Sequence, residues 1–235
     1  MRKFLKRLAS PLLVPLTRWY LRKERKFMHG GIPIHVLPSV FHPGFFHSTK
    51  FILRYLSNQP IAKKSLLELG CGTGLIAITA AKAGAYVTAS DLSLKALENT
   101  KYNAHLNQVF IKIVYSDLFD SIDEVPFDWI VINPPYYARQ PENDRDLAWY
   151  CGENFEYFRK LFESLNNYMH SQSNVIMVLA KGTDIATIER IAADNNFELE
   201  LVKENDVFFD GKDFLFRVNE QEAVSSEQSA VSNEQ

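Results

Sequence analysis

Apolar and polar positions along the chain change period in blocks, and the blocks alternate between strand-like and helix-like from residue 41 to 218. Ser65 to Leu69 is a short apolar run that ends in a glycine-rich turn. Leu75 to Lys82 is alanine-rich and helical, and Ala85 to Ala89 reads as the next strand, closed by Ser90-Asp91. Ser93 can cap a helix reaching Asn107. Val109 to Tyr115 alternates, as a strand does. Phe127 to Ile132 is apolar throughout, as a strand buried on both faces should be. Asp146 to Tyr168 reads as one long helix, with Phe155, Phe158, Leu161, Phe162 and Leu165 at core spacing. Val175 to Leu179 is a further strand, Asp184 to Asp194 a helix, and Phe197 to Val202 alternates again. Asp210-Gly211 is a turn pair between Val207-Phe208-Phe209 and Phe214-Leu215-Phe216.

Strands alternating with helices predict an α/β fold: a Rossmann-like, doubly wound sheet, mostly parallel, covered on both faces. The late Asp-Gly turn adds an antiparallel hairpin at one edge. Ligands of such sheets bind beyond the carboxyl ends of the strands. The glycine turn at 70–74, Asp91, Asp117 and Asn133 all fall at those ends.

Charge adds an asymmetry that the net value of −2 conceals. Residues 1–26 carry nine Lys or Arg against Glu24 alone, about +8, so the remainder carries about −10. The predicted organisation is a basic, proline-broken extension at 1–40, in which any helix is interrupted by Pro11, Pro15, Pro33 and Pro38. A domain follows at 41–218, and then a disordered tail at 219–235 that is too poor in apolar residues to fold. A basic arm on an acidic body suggests an anionic partner such as RNA, a ribosome or a membrane surface; the alternative is a solvated helix with no partner. The two cysteines, Cys71 and Cys151, give neither a disulfide framework nor zinc spacing, and a cytoplasmic location fits. No stretch is long and apolar enough to be an integral membrane segment. His29, His35, His42 and His47 crowd together without a helical i, i+4 pair, so no metal is expected.

Gly70, Gly72 and Gly74 permit a sharp turn that comes close to a ligand. Their G-x-G-x-G spacing differs from the G-x-G-x-x-G of phosphate cofactors, and Glu68 before them would repel a pyrophosphate. A carboxylate there suits S-adenosylmethionine, which carries a sulfonium and an ammonium and no phosphate. Asp91, ending the second strand, can accept from both ribose hydroxyls. Asp117, ending the third, can accept from the adenine amino group. Each has a plainer reading, Asp91 as a helix cap and Asp117 as a turn residue. Their order along successive strands favours the cofactor. Cys71 reads as a small buried turn residue.

Asn133-Pro134-Pro135-Tyr136 directly follows the strand ending at Ile132. Planar NH2 groups are poor nucleophiles, because the nitrogen lone pair is delocalised. The Asn133 side-chain oxygen can accept one N–H and the Pro134 carbonyl the other, while both prolines stiffen the loop. Tyr136 offers a flat face to an amide or a base.

These residues together resemble the class I S-adenosylmethionine-dependent methyltransferases, in the small-domain group with an Asn-Pro-Pro-Tyr or -Phe motif. That group includes release-factor glutamine methyltransferases and rRNA and tRNA N-methyltransferases. The resemblance covers residues 40–218 and implies a seven-stranded sheet. It implies cofactor contacts from Glu68, Gly70, Cys71, Gly72, Thr73, Gly74, Asp91, Leu92, Asp117, Leu118 and Asn133, with Thr49 at the methionine end. It implies catalytic roles for Asn133, Pro134, Pro135 and Tyr136. Ser48 stands where many glutamine methyltransferases carry an acidic residue. The forty-residue extension is shorter than their substrate-docking domain. The expected activity is N-methylation of a planar NH2 group, leaning to a protein glutamine side chain; the alternatives are an adenine N6 or guanine N2 in rRNA or tRNA, or a non-catalytic RNA- or protein-binding module. A dinucleotide oxidoreductase conflicts with the glycine spacing and Glu68.

Overall fold

The computed structural model of the protein describes residues 22–45, 47–207 and 211–221. Most of the basic arm, including Trp19-Tyr20, lies outside the described residues. So do Phe208 to Asp210 and the tail from residue 222.

The chain enters through a hairpin of β1 (Arg25–His29) and β2 (Ile32–Val36), joined at Gly30-Gly31 with φ of 52° and 80°. Positive φ at both turn residues is what a two-residue hairpin needs. The sequence reading expected only an interrupted helix here. The strand signal was the alternation of Ile32, Ile34 and Val36, all buried. Pro33 obscured it.

The body follows as α1 (His47–Leu56), β3 (Ser65–Leu69), α2 (Leu75–Lys82), β4 (Tyr86–Asp91), α3 (Leu94–Leu106), β5 (Lys112–Tyr115) and β6 (Trp129–Ile132). Then come α4 (Glu156–Leu165), β7 (Asn174–Ala180), α5 (Ile185–Ala193), β8 (Phe197–Val207) and β9 (Gly211–Glu220). Seven strands form one sheet in the order β5-β4-β3-β6-β7-β9-β8. Strands β3 to β7 pair in parallel, and β9 runs antiparallel to β7 and β8. The expected fold class is therefore the observed one, including the antiparallel edge hairpin.

Side-chain alternation splits the core in two. Leu66, Trp129, Val131, Ile176 and Val178 face α1 and α2, where they meet Phe51, Ile52 and Ile76. Leu67, Leu69, Ile130, Ile132, Val175 and Met177 face the other way, onto Phe158, Leu161 and Phe162 of α4 and Ile188 of α5. An apolar residue at every position of β6 is the consequence of cover on both faces. Ser93 caps α3 by accepting from Ala96 N, and Asp184 caps α5 by accepting from Thr187 N.

Asn99 and Asn103 on α3 and Asn107 at its C-terminal cap recur every four residues, which sets them on one face, and all three are buried. Asn99 Oδ1 accepts from Leu37 N, and Asn99 Nδ2 donates to the His35 carbonyl. Asn103 accepts from His35 N and donates to the carbonyls of His35 and Thr73. Asn107 donates to the Pro33 carbonyl. The hairpin is thus hydrogen-bonded to the body through side chains, which satisfies backbone groups that the two-stranded sheet leaves open.

One predicted element is corrected. The helix expected over 146–168 is confined to Glu156–Leu165 and continues only as a short 3-10 turn, Asn166–Tyr168. Residues 146–155 form turns. Gly152 has φ of 88° and Phe155, at the helix cap, φ of 60°, and neither value fits a continuing helix. The backbone of this stretch pairs elsewhere: Tyr137 N donates to Trp149 O and Cys151 N to Tyr137 O, both at 3.0 Å. At the other end of the sheet, β8 outruns the expected Phe197 to Val202, continuing to Val207 past a bulge between Leu201 and Lys203.

Candidate active site

Strand order fixes the order of the functional groups. Reading β5, β4, β3, β6 across the sheet, their carboxyl ends present Asp117, Asp91, the 70–74 turn and Asn133 in sequence. Strands β3 and β6 are direct neighbours, with Leu69 opposite Ile132, so the glycine turn and the Asn-Pro-Pro-Tyr loop leave the sheet side by side. They open onto one cavity of about 340 Å³, within the usual range for small-ligand sites.

After Leu69 the chain turns through Gly70, Gly72 and Gly74, with φ of 74°, 54° and 75°. The amides of Gly70 and Cys71 both donate to Ser90 O at 2.9 Å, which ties the turn to β4. No atom lies within 4 Å of where a Gly70 Cβ would stand, so the backbone there faces open cavity. Gly72 N donates to Asp91 Oδ2 and Ser93 N to Asp91 Oδ1, each at 2.9 Å. Asp91 is therefore held in place by backbone donors and retains lone pairs for a ligand. Cys71 is buried, and burial, reinforced by the Asp91 and Glu68 charges, pushes its thiol well up. That environment gives no activated nucleophile.

Glu68 is 4% exposed and accepts from Ala77 N at 2.8 Å, one turn into α2. Desolvation pushes its carboxyl up to about 8, against the lowering effect of that backbone hydrogen bond. Burial also raises Asp91, although the amides of Ser93, Gly72 and Leu92 oppose it.

Of the residues singled out in the sequence, Thr49, Glu68, Gly70, Cys71, Gly72, Thr73, Asp91, Leu92, Asp117, Leu118, Asn133, Pro134, Pro135 and Tyr136 all line this cavity. Gly74 is not among the lining residues. A Cβ on it would meet Thr100 Cγ2 at 2.7 Å, and its φ is left-handed, so it is glycine for helix packing. Gly74→Ala is expected to destabilise the protein by about 1–3 kcal/mol, which urea denaturation would measure; unchanged stability would mean Thr100 moves aside without cost.

Sequence reasoning missed two contributors. The segment from Gln140 to Gly152 walls part of the cavity and is tied to the lead-in before α1. Phe41 packs on Trp149 with ring centroids 5.5 Å apart, and Arg145 Nε donates to Ser39 Oγ at 2.9 Å. The second contributor is α4, which brings Tyr157 and Lys160 to the wall. Lys160 Nζ lies 2.6 Å from both Asp117 Oδ2 and Asp120 Oδ2. No short-range pattern signals that pair, since 43 residues separate Lys160 from Asp117.

The donor set tests the cofactor. Asp91 and Asp117 make the lining acidic, Glu68 adds a buried carboxyl that a bound cation would ionise, and Lys160, the lining's cation, is already paired with a carboxylate. Such a lining rejects phosphate groups and fits a cofactor bearing a sulfonium and an ammonium. A mostly parallel sheet with this rim of groups defines a class I S-adenosylmethionine-dependent methyltransferase. The chain belongs to the methyltransferase small domain family, whose model matches residues 31–154.

Among relatives, a candidate protein N5-glutamine methyltransferase of Methanocaldococcus jannaschii is 32% identical over 147 residues, 62% of this chain and 71% of that one. The ribosomal RNA small subunit methyltransferase C of Yersinia pestis is 30% identical over 110 residues, 46% of this chain but only 31% of the relative. A T. thermophilus 16S rRNA N2 methyltransferase, solved with AdoMet and guanosine, superposes with a TM-score of 0.56 at 16% identity. That superposition covers 83% of this chain and 50% of the other. Among the described residues no helix is long and apolar enough to cross a membrane.

Proposed function

We propose that this enzyme methylates a planar NH2 nitrogen, and that its substrate is a glutamine side chain in a protein. The observation that carries the reading is the placement of Asn133-Pro134-Pro135-Tyr136 at the end of β6, beside the glycine turn and on the same cavity.

When bound, S-adenosylmethionine supplies an electrophilic methyl group on a positively charged sulfur. Glu68 and Asp91 would hold its cationic and ribose portions, and Asp117 its adenine. The Asn133 side-chain oxygen accepts one N–H of the incoming amide and the Pro134 carbonyl accepts the other. Holding both protons in this way favours a pyramidal nitrogen with its lone pair directed at the methyl carbon. Once the methyl group has passed from sulfur to nitrogen, the extra proton on nitrogen would leave to water, because Asn133 is neutral and cannot take it. Pro134 and Pro135 fix the loop before substrate arrives, so little order is lost at the moment of reaction.

The Methanocaldococcus relative supports glutamine, since most of its length is matched. The acidic body also disfavours long RNA contacts. A base amine is the second reading, favoured by the rRNA methyltransferase relative and by the cations of residues 22–26. The deciding experiment is transfer of labelled methyl from S-adenosylmethionine into a cell extract, followed by separate protease and nuclease digestion. Label released by protease supports the glutamine reading. Label released only by nuclease overturns it in favour of a base amine and makes the basic arm an RNA-docking element. No transfer to either would sink both.

A further inference from the structure

The turn after β5 is strained where it meets the cavity. Leu118 lines the cavity and adopts φ of 53°, a left-handed conformation costly for a residue with a branched side chain. Asp117 and Asp120 flank it, and Asp120 N donates to Asp117 O at 3.2 Å to close the turn. The side chain of Lys160 reaches across from α4, with Nζ at 2.6 Å from one carboxylate oxygen of each. One ammonium therefore grips both shoulders of the strained turn. It takes up part of the accepting capacity of Asp117 Oδ2 and leaves the other lone pairs of the carboxylate for a ligand.

We propose that Lys160 is a positioning residue for adenine recognition: it fixes the Asp117–Asp120 turn so that Asp117 meets the amino group of the cofactor's adenine. The proposal rests on the reading that Asp117 accepts from that amino group. Lys160 lies on α4, in an element for which the sequence reading gave only packing residues. Its three ammonium hydrogens serve two carboxylates with one to spare. At 35% side-chain exposure it is screened by solvent, so its contribution is one of orientation rather than bulk attraction. A cation on this rim is also unexpected in a lining that otherwise attracts positive charge. Holding the turn accounts for it.

The test compares binding of S-adenosylhomocysteine with S-inosylhomocysteine, in which the amino donor is replaced by a carbonyl acceptor. The native protein is expected to prefer the adenosine ligand by about tenfold or more, the usual value of a hydrogen bond to a charged group. In Lys160→Gln the preference should collapse towards unity, while Lys160→Arg, which keeps the cation, should restore most of it. A merely structural lysine would change stability and leave this ratio alone. If Lys160→Gln keeps the native preference while Asp117→Ala, which removes the acceptor, loses it, Lys160 has no positioning role and the inference fails. If Asp117→Ala, which has no acceptor, keeps the preference too, the assignment of Asp117 to the adenine is what fails.

Discussion

Asn133→Ala is expected to lower kcat by about a thousandfold while leaving the Kd for S-adenosylmethionine within about twofold of native. The carboxamide sits beyond the end of β6, across from the glycine turn. Its oxygen is asked to meet an N–H whose nitrogen becomes positively charged as the methyl group arrives, so the contact strengthens in the transition state. Such contacts appear in kcat rather than in ground-state binding. Alanine removes the acceptor but leaves Pro134 and Pro135, so the loop keeps its shape. Asn133→Asp keeps an acceptor oxygen at the same place and should retain part of the activity. Single-turnover methyl transfer alongside equilibrium cofactor binding separates the two effects. A variant with alanine that transfers methyl within tenfold of native would remove Asn133 from the chemistry.

What was legible in the sequence is tied to how local its cause is. The parallel core could be read because β6 and β7 are buried on both faces and so are written as apolar runs, WIVI and, after Asn174, VIMVLA, while β3 is apolar except for Ser65 and the buried Glu68. The rim could be read because the glycine turn, Asp91, Asp117 and Asn133 each follow a strand, and strand ends share one side of a parallel sheet. The hairpin of β1 and β2 was hidden by prolines, and what fastens it, the asparagine stripe on α3, lies more than sixty residues downstream. The overlong helix had a similar cause. The aromatic spacing of Phe155 to Leu165 is genuine, but extending it back to Asp146 ignored the left-handed positions at Gly152 and Phe155. Lys160 was invisible because its partners are set by topology and not by spacing.

Cofactor affinity is expected to rise by at least about tenfold between pH 6 and pH 8 in the native protein, and to be nearly flat over that range in Glu68→Gln. Glu68 is buried behind the glycine turn, and desolvation pushes its carboxyl up to about 8. In the ligand-free protein it is therefore protonated at pH 6. A cationic cofactor stabilises the ionised form, so binding expels a proton and tightens as pH rises, levelling off near the carboxyl's own value. The like charge of Asp91 adds to the upward shift of Glu68. Glutamine keeps an oxygen to accept from Ala77 N, so the variant should fold. Stability gives the opposite slope. An unfolded glutamate loses its proton near pH 4.3, about four units below the buried one. Between those values the folded state holds a proton that the unfolded state has lost, so ligand-free stability falls as pH rises through that window. Saturating cofactor should flatten this fall, because it binds the form that pH is creating. Isothermal titration at several pH values, with thermal denaturation of both proteins, measures both slopes. A native affinity that does not change with pH, or a Glu68→Gln profile as steep as native, would show that the buried carboxyl does not meet the cofactor's positive charge.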